Sequence, residues 1–99
     1  MSARILTRTK FKAWLESKPK RSVVGRRNDP FSCPIANHMK YSGYAKPCVS
    51  GFKLQWSIED RRTAANTPLW ARAFINSVDC ITTGNITAAR ALEILEGCK

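Results

Sequence analysis

RTKFKAWLESKPKRSVVGRR, residues 8–27, is the stretch from which most of the fold and the chemistry can be argued. It carries eight basic residues against one acid, Glu16, and so holds a net charge of +7 out of the +10 of the whole chain. The basic residues are Arg8, Lys10, Lys12, Lys18, Lys20, Arg21, Arg26 and Arg27. A charge this concentrated indicates a polyanionic partner, and nucleic acid is the commonest polyanion in a cell.

The same stretch predicts the first helix. Phe11, Trp14 and Leu15 recur at the spacing of one helical face, which places a helix over residues 10–17. It ends before Pro19, because the residue preceding a proline is disfavoured in the helical region. Two threonines are suited to cap its start, Thr7 and Thr9.

Further along, residues 22–25 are β-prone, and Ser32 is suited to cap a second helix over residues 33–41. Apolar and polar residues alternate over 52–58, which predicts a half-buried strand that Val49 extends. No strand is predicted at the centre of a sheet around Pro47, since proline cannot donate a ladder hydrogen bond. The segment from Glu59 to Asn66 shows no clear period and is interpreted as a polar connection. Two later helices start at Thr67-Pro68 and at Thr87, and Gly97 ends the second.

These elements predict a small α+β single domain over residues 1–99. It has about four short helices, a small sheet of two or more short strands and a C-terminal helical hairpin. Residues 1–53 carry a net charge of +10 and are interpreted as a strongly basic face. Residues 54–99 have five basic and five acidic residues and are interpreted as a charge-neutral scaffold.

Cellular location is predicted from what the sequence lacks. No run approaches the roughly 20 apolar residues of a membrane span, and the start has no apolar segment typical of a signal peptide. We therefore expect a cytoplasmic protein with no membrane partner. In a reducing cytosol the four cysteines are expected to be free thiols, two or three of them buried. They are Cys33, Cys48, Cys80 and Cys98.

A second group of candidate binding residues lies in the segment KYSGYAK, where Lys40, Tyr41, Tyr44 and Lys46 interleave aromatic and basic side chains. Tyrosines can stack on unpaired bases while neighbouring lysines hold phosphates. Two tyrosines that pack their rings at the margin of the core would give the same pattern.

Metal binding and catalysis are not predicted. Cys33, His38 and Cys48 lack the short paired spacings of zinc sites, and no glycine-rich phosphate loop occurs, so neither a metal nor a cofactor is expected. A Cys-His pair is the remaining catalytic alternative, but no third group to orient it is evident.

The last helix is a poor recognition helix, because Glu93 and Glu96 would repel phosphates. Its apolar character on more than one face leaves a homodimer contact as an alternative to burial.

Several short pieces together resemble short uncharacterised bacterial proteins from cyanobacterial, phage or plasmid settings. The pieces are Trp14-Leu15, Val24-Gly25, the segment Cys33-Pro34-Ile35-Ala36, Trp70-Ala71, Phe74-Ile75, Val78-Asp79, Thr87-Ala88-Ala89 and Ala91-Leu92. The resemblance implies a bacterial or mobile-element origin, and it implies no activity, so no functional residue is carried over.

The sequence thus predicts a non-enzymatic nucleic-acid-binding protein, a small basic protein whose N-terminal surface makes largely sequence-tolerant phosphate contacts. The resemblance implies that this small protein is bacterial. The alternative is an accessory factor, such as a phage-type inhibitor or an assembly subunit. That factor would dock its basic face on an acidic protein or a nucleoprotein complex. Both hypotheses depend on whether folding brings the basic clusters of residues 8–27 together.

Overall fold

The computed structural model describes residues 6–26, 29–58, 61–80 and 84–97. Over these ranges the chain forms four helices and five strands. In chain order they are α1 (Arg8–Glu16), β1 (Val23–Arg26), α2 (Pro34–Tyr41), β2 (Ala45–Val49), β3 (Lys53–Ile58), β4 (Arg61–Asn66), α3 (Leu69–Asp79), β5 (Asn85–Thr87) and α4 (Ala88–Glu96). This is the predicted α+β class, with two C-terminal helices that are separated by the short strand β5.

The strands form two antiparallel sheets. In the smaller sheet β1 pairs with β5, so that Gly25 lies opposite Ile86. In the larger sheet β3 lies between β2 and β4. Pro47 therefore lies in an edge strand, as the missing N–H group of proline requires.

Two of the four helices, α1 and α4, begin at a threonine cap that the sequence predicts. The Thr7 hydroxyl accepts a hydrogen bond from the Lys10 N–H at 3.3 Å, and Thr87 accepts one from Arg90 at 3.2 Å. The predicted cap at Ser32 is wrong, because the helix starts one residue later and the Cys33 sulfur accepts from the Ala36 N–H. Thr67 does not cap α3 either, since its hydroxyl donates instead to the Ser50 carbonyl at 2.9 Å.

Two strand predictions are corrected. The segment interpreted as a polar connection contains β4, which forms because it pairs with β3 residue for residue from Arg61 to Asn66. Val49 belongs to β2 and lies opposite Leu54, so it does not extend the neighbouring strand. The predicted alternation holds at Leu54 and Trp56, which are buried, but Phe52 and Ile58 at its two ends are exposed.

The core forms where α1 lies between α2 and α4. Phe11 is fully buried at its centre, with its ring 5.1 Å from that of Phe74 and 5.6 Å from that of Trp70. On the last helix, Leu92 and Ile94 are partly buried against the same core, which accounts for its broad apolar character. Within the described ranges, no helix is long and apolar enough to cross a lipid bilayer.

Candidate functional site

The basic residues of α1 extend to two sides of the helix. Arg8 and Lys12 are one turn apart and face α4, where the Arg8 Nη2 donates to the Leu95 carbonyl at 2.9 Å. The Lys12 Nζ lies 2.9 Å from the Glu96 carboxylate, whose hydrogen bond and charge raise the pKa of Lys12. These two cations are thus engaged in joining the first helix to the last.

Lys10 and Lys18 lie on the other side of α1 and its C-terminal extension, the side that faces α2. Between the two helices lies a groove of about 310 Å³, here called the α1–α2 groove. Its α1 side includes Lys10, Trp14 and Ser17, and its α2 side includes His38, Tyr41 and Ser42. Among the described residues, no carboxylate lines it.

One corner of the groove combines an ammonium group with two aromatic rings. The Lys18 Nζ lies 5.2 Å from the Trp14 ring centroid and 5.6 Å from that of Tyr41. The two rings are 6.4 Å apart and tilted by 43°. Trp14 is buried, whereas Tyr41 is 72% exposed. The Tyr41 ring is therefore supported on one side and accessible on the other.

His38 forms part of the inner wall and is only 6% exposed. Its ring lies 5.4 Å from that of Phe11 and 5.2 Å from that of Trp14. Burial, with a smaller effect from the positive charge of Lys10, lowers the pKa of His38 to about 4. The imidazole is therefore neutral at pH 7. Neither its Nδ1 nor the Nε1 of Trp14 has a hydrogen-bond partner within the ranges that the structure describes.

The other candidate residues lie outside the groove lining. Lys20 and Arg21 are exposed in the turn after α1, and Arg26 is exposed at the end of β1. Lys40 and Lys46 are also exposed, while Tyr44 is half-buried and packs edge-on against Trp56 at 5.5 Å. Arg27 lies outside the described residues. The structure thus brings Lys10, Lys18 and Tyr41 together at one site.

Sequence reasoning assigns two of the groove residues to other roles. By its spacing Trp14 is expected only in the core, and His38 is a candidate only as a metal ligand or a catalytic partner. The signal that could have found them is helical spacing, because Lys10, Trp14 and Lys18 recur every four residues while His38 and Tyr41 are three apart. The groove needs both stripes, and the sequence does not show that the two helices are neighbours.

Backbone N–H groups at the N-terminus of α4 are already hydrogen-bonded within the protein. The backbone N–H groups of Ala88 and Ala89 donate to the carbonyls of Ser22 and Lys20, at 2.9 and 3.1 Å. A helix start whose donors are already bonded has fewer free N–H groups for a phosphate. Together with the ion pair between Arg90 and Glu93, this makes the start of α4 poorly suited to bind a phosphate.

The described cysteines differ in exposure: Cys33 is buried, Cys48 is half-buried and Cys80 is exposed, while Cys98 lies outside the described residues. Burial raises the pKa of the Cys33 thiol to about 11, which disfavours the reactive thiolate. Among the described residues, no three His, Cys, Asp or Glu side chains are grouped so that they could hold a metal ion.

Thiol labelling of the folded protein is expected to follow these exposures. At pH 7.5 an alkylating reagent should modify Cys80 first, while Cys33 should react at least about 100-fold more slowly because it is buried and protonated. Mass spectrometry of peptides after timed quenching measures each rate, and labelling in urea provides the control in which the sites become equal. Fast labelling of Cys33 would instead favour the Cys-His alternative.

Comparisons of this chain with protein-family models, with curated proteins and with solved structures find no match.

Proposed function

We propose that this is a non-enzymatic nucleic-acid-binding protein whose basic surface holds phosphates without strong sequence preference. The observation that carries the proposal is the α1–α2 groove: Lys10 and Tyr41 line it, Lys18 lies over the exposed ring of Tyr41, and no carboxylate is present among the described lining residues. Ammonium groups beside an accessible aromatic ring are the combination that single-strand and RNA-binding surfaces use.

The phosphate-binding role is assigned to cations at the groove and on the exposed surface outside it, and not to the whole basic stretch. Lys10, Lys18, Lys20, Arg21 and Arg26 are candidates, with Arg27, Lys40 and Lys46 as further contacts. Arg8 and Lys12 are set apart, because their hydrogen bonds to Leu95 and Glu96 serve the packing of α1 on α4. Tyr41 is the candidate stacking residue, while Tyr44 already packs against Trp56.

Binding is expected to weaken steeply with salt. If about five cations contact phosphates of a single strand, the slope of log K against log [salt] is about −3.5, because each neutralised phosphate contributes about 0.7. Affinity should then fall about 100-fold between 50 and 200 mM salt. Fluorescence anisotropy with labelled 12-nucleotide DNA and RNA, single-stranded and duplex, measures the slope.

The same titration carries its own control. Scrambled 12-mers of equal length should give affinities within a few-fold of one another, since phosphate contacts carry no sequence information. A slope shallower than about −1, or no binding to any of the four nucleic acids at 50 mM salt, would contradict the proposal.

A second candidate function is docking on a partner protein, favoured by large apolar side chains that the domain leaves exposed. Leu69 is 79% exposed at the start of α3, and Phe52 is 72% exposed beneath the guanidinium group of Arg72. Recovery of one defined acidic protein after nuclease treatment, together with weak binding to free nucleic acid, would favour this function over the first.

A further inference from the structure

We infer that the α1–α2 groove takes one unpaired nucleobase of a single-stranded nucleic acid, stacked on Tyr41. This inference rests on the proposed function and specifies its substrate class: single strands over duplexes.

The volume of the groove suits one small ligand. Its volume of about 310 Å³ lies at the lower end of the range of about 300–1,000 Å³ that small-molecule pockets span. One wall is aromatic and closed, since Trp14 is only 7% exposed and packs at 6.0 Å from the ring of Phe11. The groove is therefore large enough to take one nucleobase against its aromatic wall.

The inner wall offers hydrogen-bonding chemistry that the described protein does not use. His38 and Trp14 are both more than nine-tenths buried, and each has a ring nitrogen without a partner among the described residues. The indole nitrogen is a donor, and a neutral imidazole nitrogen is a donor or an acceptor according to its tautomer. The edge of a base carries both kinds of complementary group. Both nitrogens are shielded from solvent in the free protein, so a base gains hydrogen bonds to them only where the inner wall shifts as the base enters.

Tyr41 has the arrangement of a stacking platform. Its ring is mostly exposed, while the Trp14 ring and the Lys18 ammonium group lie beside it. Stacking a base on such a ring contributes enough that its removal costs about 5- to 150-fold in affinity.

The positive charges near the Tyr41 ring position the phosphates of the bound nucleic acid. Lys18 at the ring and Lys10 on the same wall hold the phosphates on either side of the stacked base, and no described lining residue repels them. In a duplex each base is stacked and paired, so entry into the groove would require unpairing at a cost of a few kcal/mol. The groove therefore selects against duplexes even though its cations would attract them.

The test separates stacking from charge with an abasic strand. We titrate three labelled probes with wild-type protein, Tyr41→Ala and Tyr41→Phe. The probes are a single strand of twelve thymidines (dT12), a 12-mer abasic strand of the same backbone charge, and a 12-base-pair duplex. We expect wild type to bind dT12 at least about 10-fold more tightly than the abasic strand. Tyr41→Ala should lose about 5- to 150-fold on dT12 alone, and Tyr41→Phe should keep most of the affinity.

Phe52→Ala is the matched control, because Phe52 is an aromatic residue with the same 72% exposure on another part of the surface. It should leave binding to all three probes unchanged. Equal wild-type affinity for dT12 and the abasic strand, or equal losses of Tyr41→Ala on both, would overturn the base pocket and leave phosphate binding standing. Absence of salt-dependent binding to every probe would overturn the proposed function itself.

Discussion

Gly25→Ala is expected to lower the free energy of unfolding by about 3 kcal/mol, the largest effect expected of any glycine-to-alanine change in this chain. Gly25 is a buried residue of β1 that passes directly over the start of α2. A Cβ atom built there lies 2.7 Å from both the Cys33 carbonyl carbon and the Pro34 Cδ, and still closer to the Pro34 nitrogen. Because these are mainly backbone atoms, the clash cannot be relieved by a rotamer change.

The measurement is urea unfolding followed by circular dichroism. A domain of this length has a total stability of about 5–15 kcal/mol, so the variant should show a much lower midpoint or a large unfolded fraction in buffer. Gly84→Ala is the control, since a Cβ at Gly84 meets no atom within 4 Å. It should change stability by less than about 0.5 kcal/mol. Equal midpoints for the two variants would contradict the close packing of β1 on α2.

The contact at Gly25 also positions the groove. The Asn37 side-chain amide donates to the carbonyls of Val24 and Ser32, at 2.8 and 3.1 Å, and the Arg26 N–H donates to the Ser32 carbonyl at 2.9 Å. These bonds hold the first turns of α2 against β1, and the same helix presents His38 and Tyr41. Separation of β1 from α2 should therefore displace one wall of the groove as well as destabilise the domain.

Elements whose signals are local were predicted well. The apolar stripe of Phe11, Trp14 and Leu15 with a threonine cap identified α1 to within two residues at each end. Thr87 and Gly97 likewise delimited α4. In both helices one amphipathic face and a hydroxyl before it are enough, because neither depends on residues distant in the chain.

Elements stabilised by distant pairing were not predicted. β4 has only alanine and threonine on its inner positions, such as Thr63 and Ala65, so it lacks the large apolar residues by which a strand is recognised. β5 has three residues, and it is a strand because β1, some sixty residues earlier, pairs with it. Sequence patterns report side-chain burial, whereas these strands depend on backbone hydrogen bonds to partners that the patterns do not identify.

The sequence predicted which residue types form the candidate site, but not how they are arranged in space. Charge counting selected eight cations of residues 8–27 together, although the helical period assigns Arg8 and Lys12 to one side and Lys10 and Lys18 to the other. Only the fold shows that α4 covers the first side and that an accessible tyrosine borders the second. Arg27 is outside the described residues, so its contact with phosphate stays a prediction.

Reversal of both groove cations, Lys10→Glu with Lys18→Glu, is expected to weaken binding to single-stranded DNA and RNA by about 100-fold at 100 mM salt. Loss of two phosphate contacts removes a counterion-release gain of about 5-fold each, and the two new carboxylates repel the strand in addition. The salt slope should become shallower by about 1.4 units, two phosphates at about 0.7 each. Stability should change little, because Lys10 is exposed and the contact of Lys18 with the rings lies at the surface.

The control for this variant must have the same net charge. Lys53→Glu with Arg61→Glu also lowers the formal charge by four, from +10 to +6, but at exposed positions of β3 and β4 outside the groove. Long-range attraction is the same in both variants and is screened beyond about 10 Å at 0.1 M salt, so the control should lose less than about 5-fold in affinity. Equal losses would mean that total charge governs binding and that the groove has no special part in it. A selective loss would place the phosphate path beside Tyr41, because two variants of equal net charge differ only in where their positive charges have been reversed.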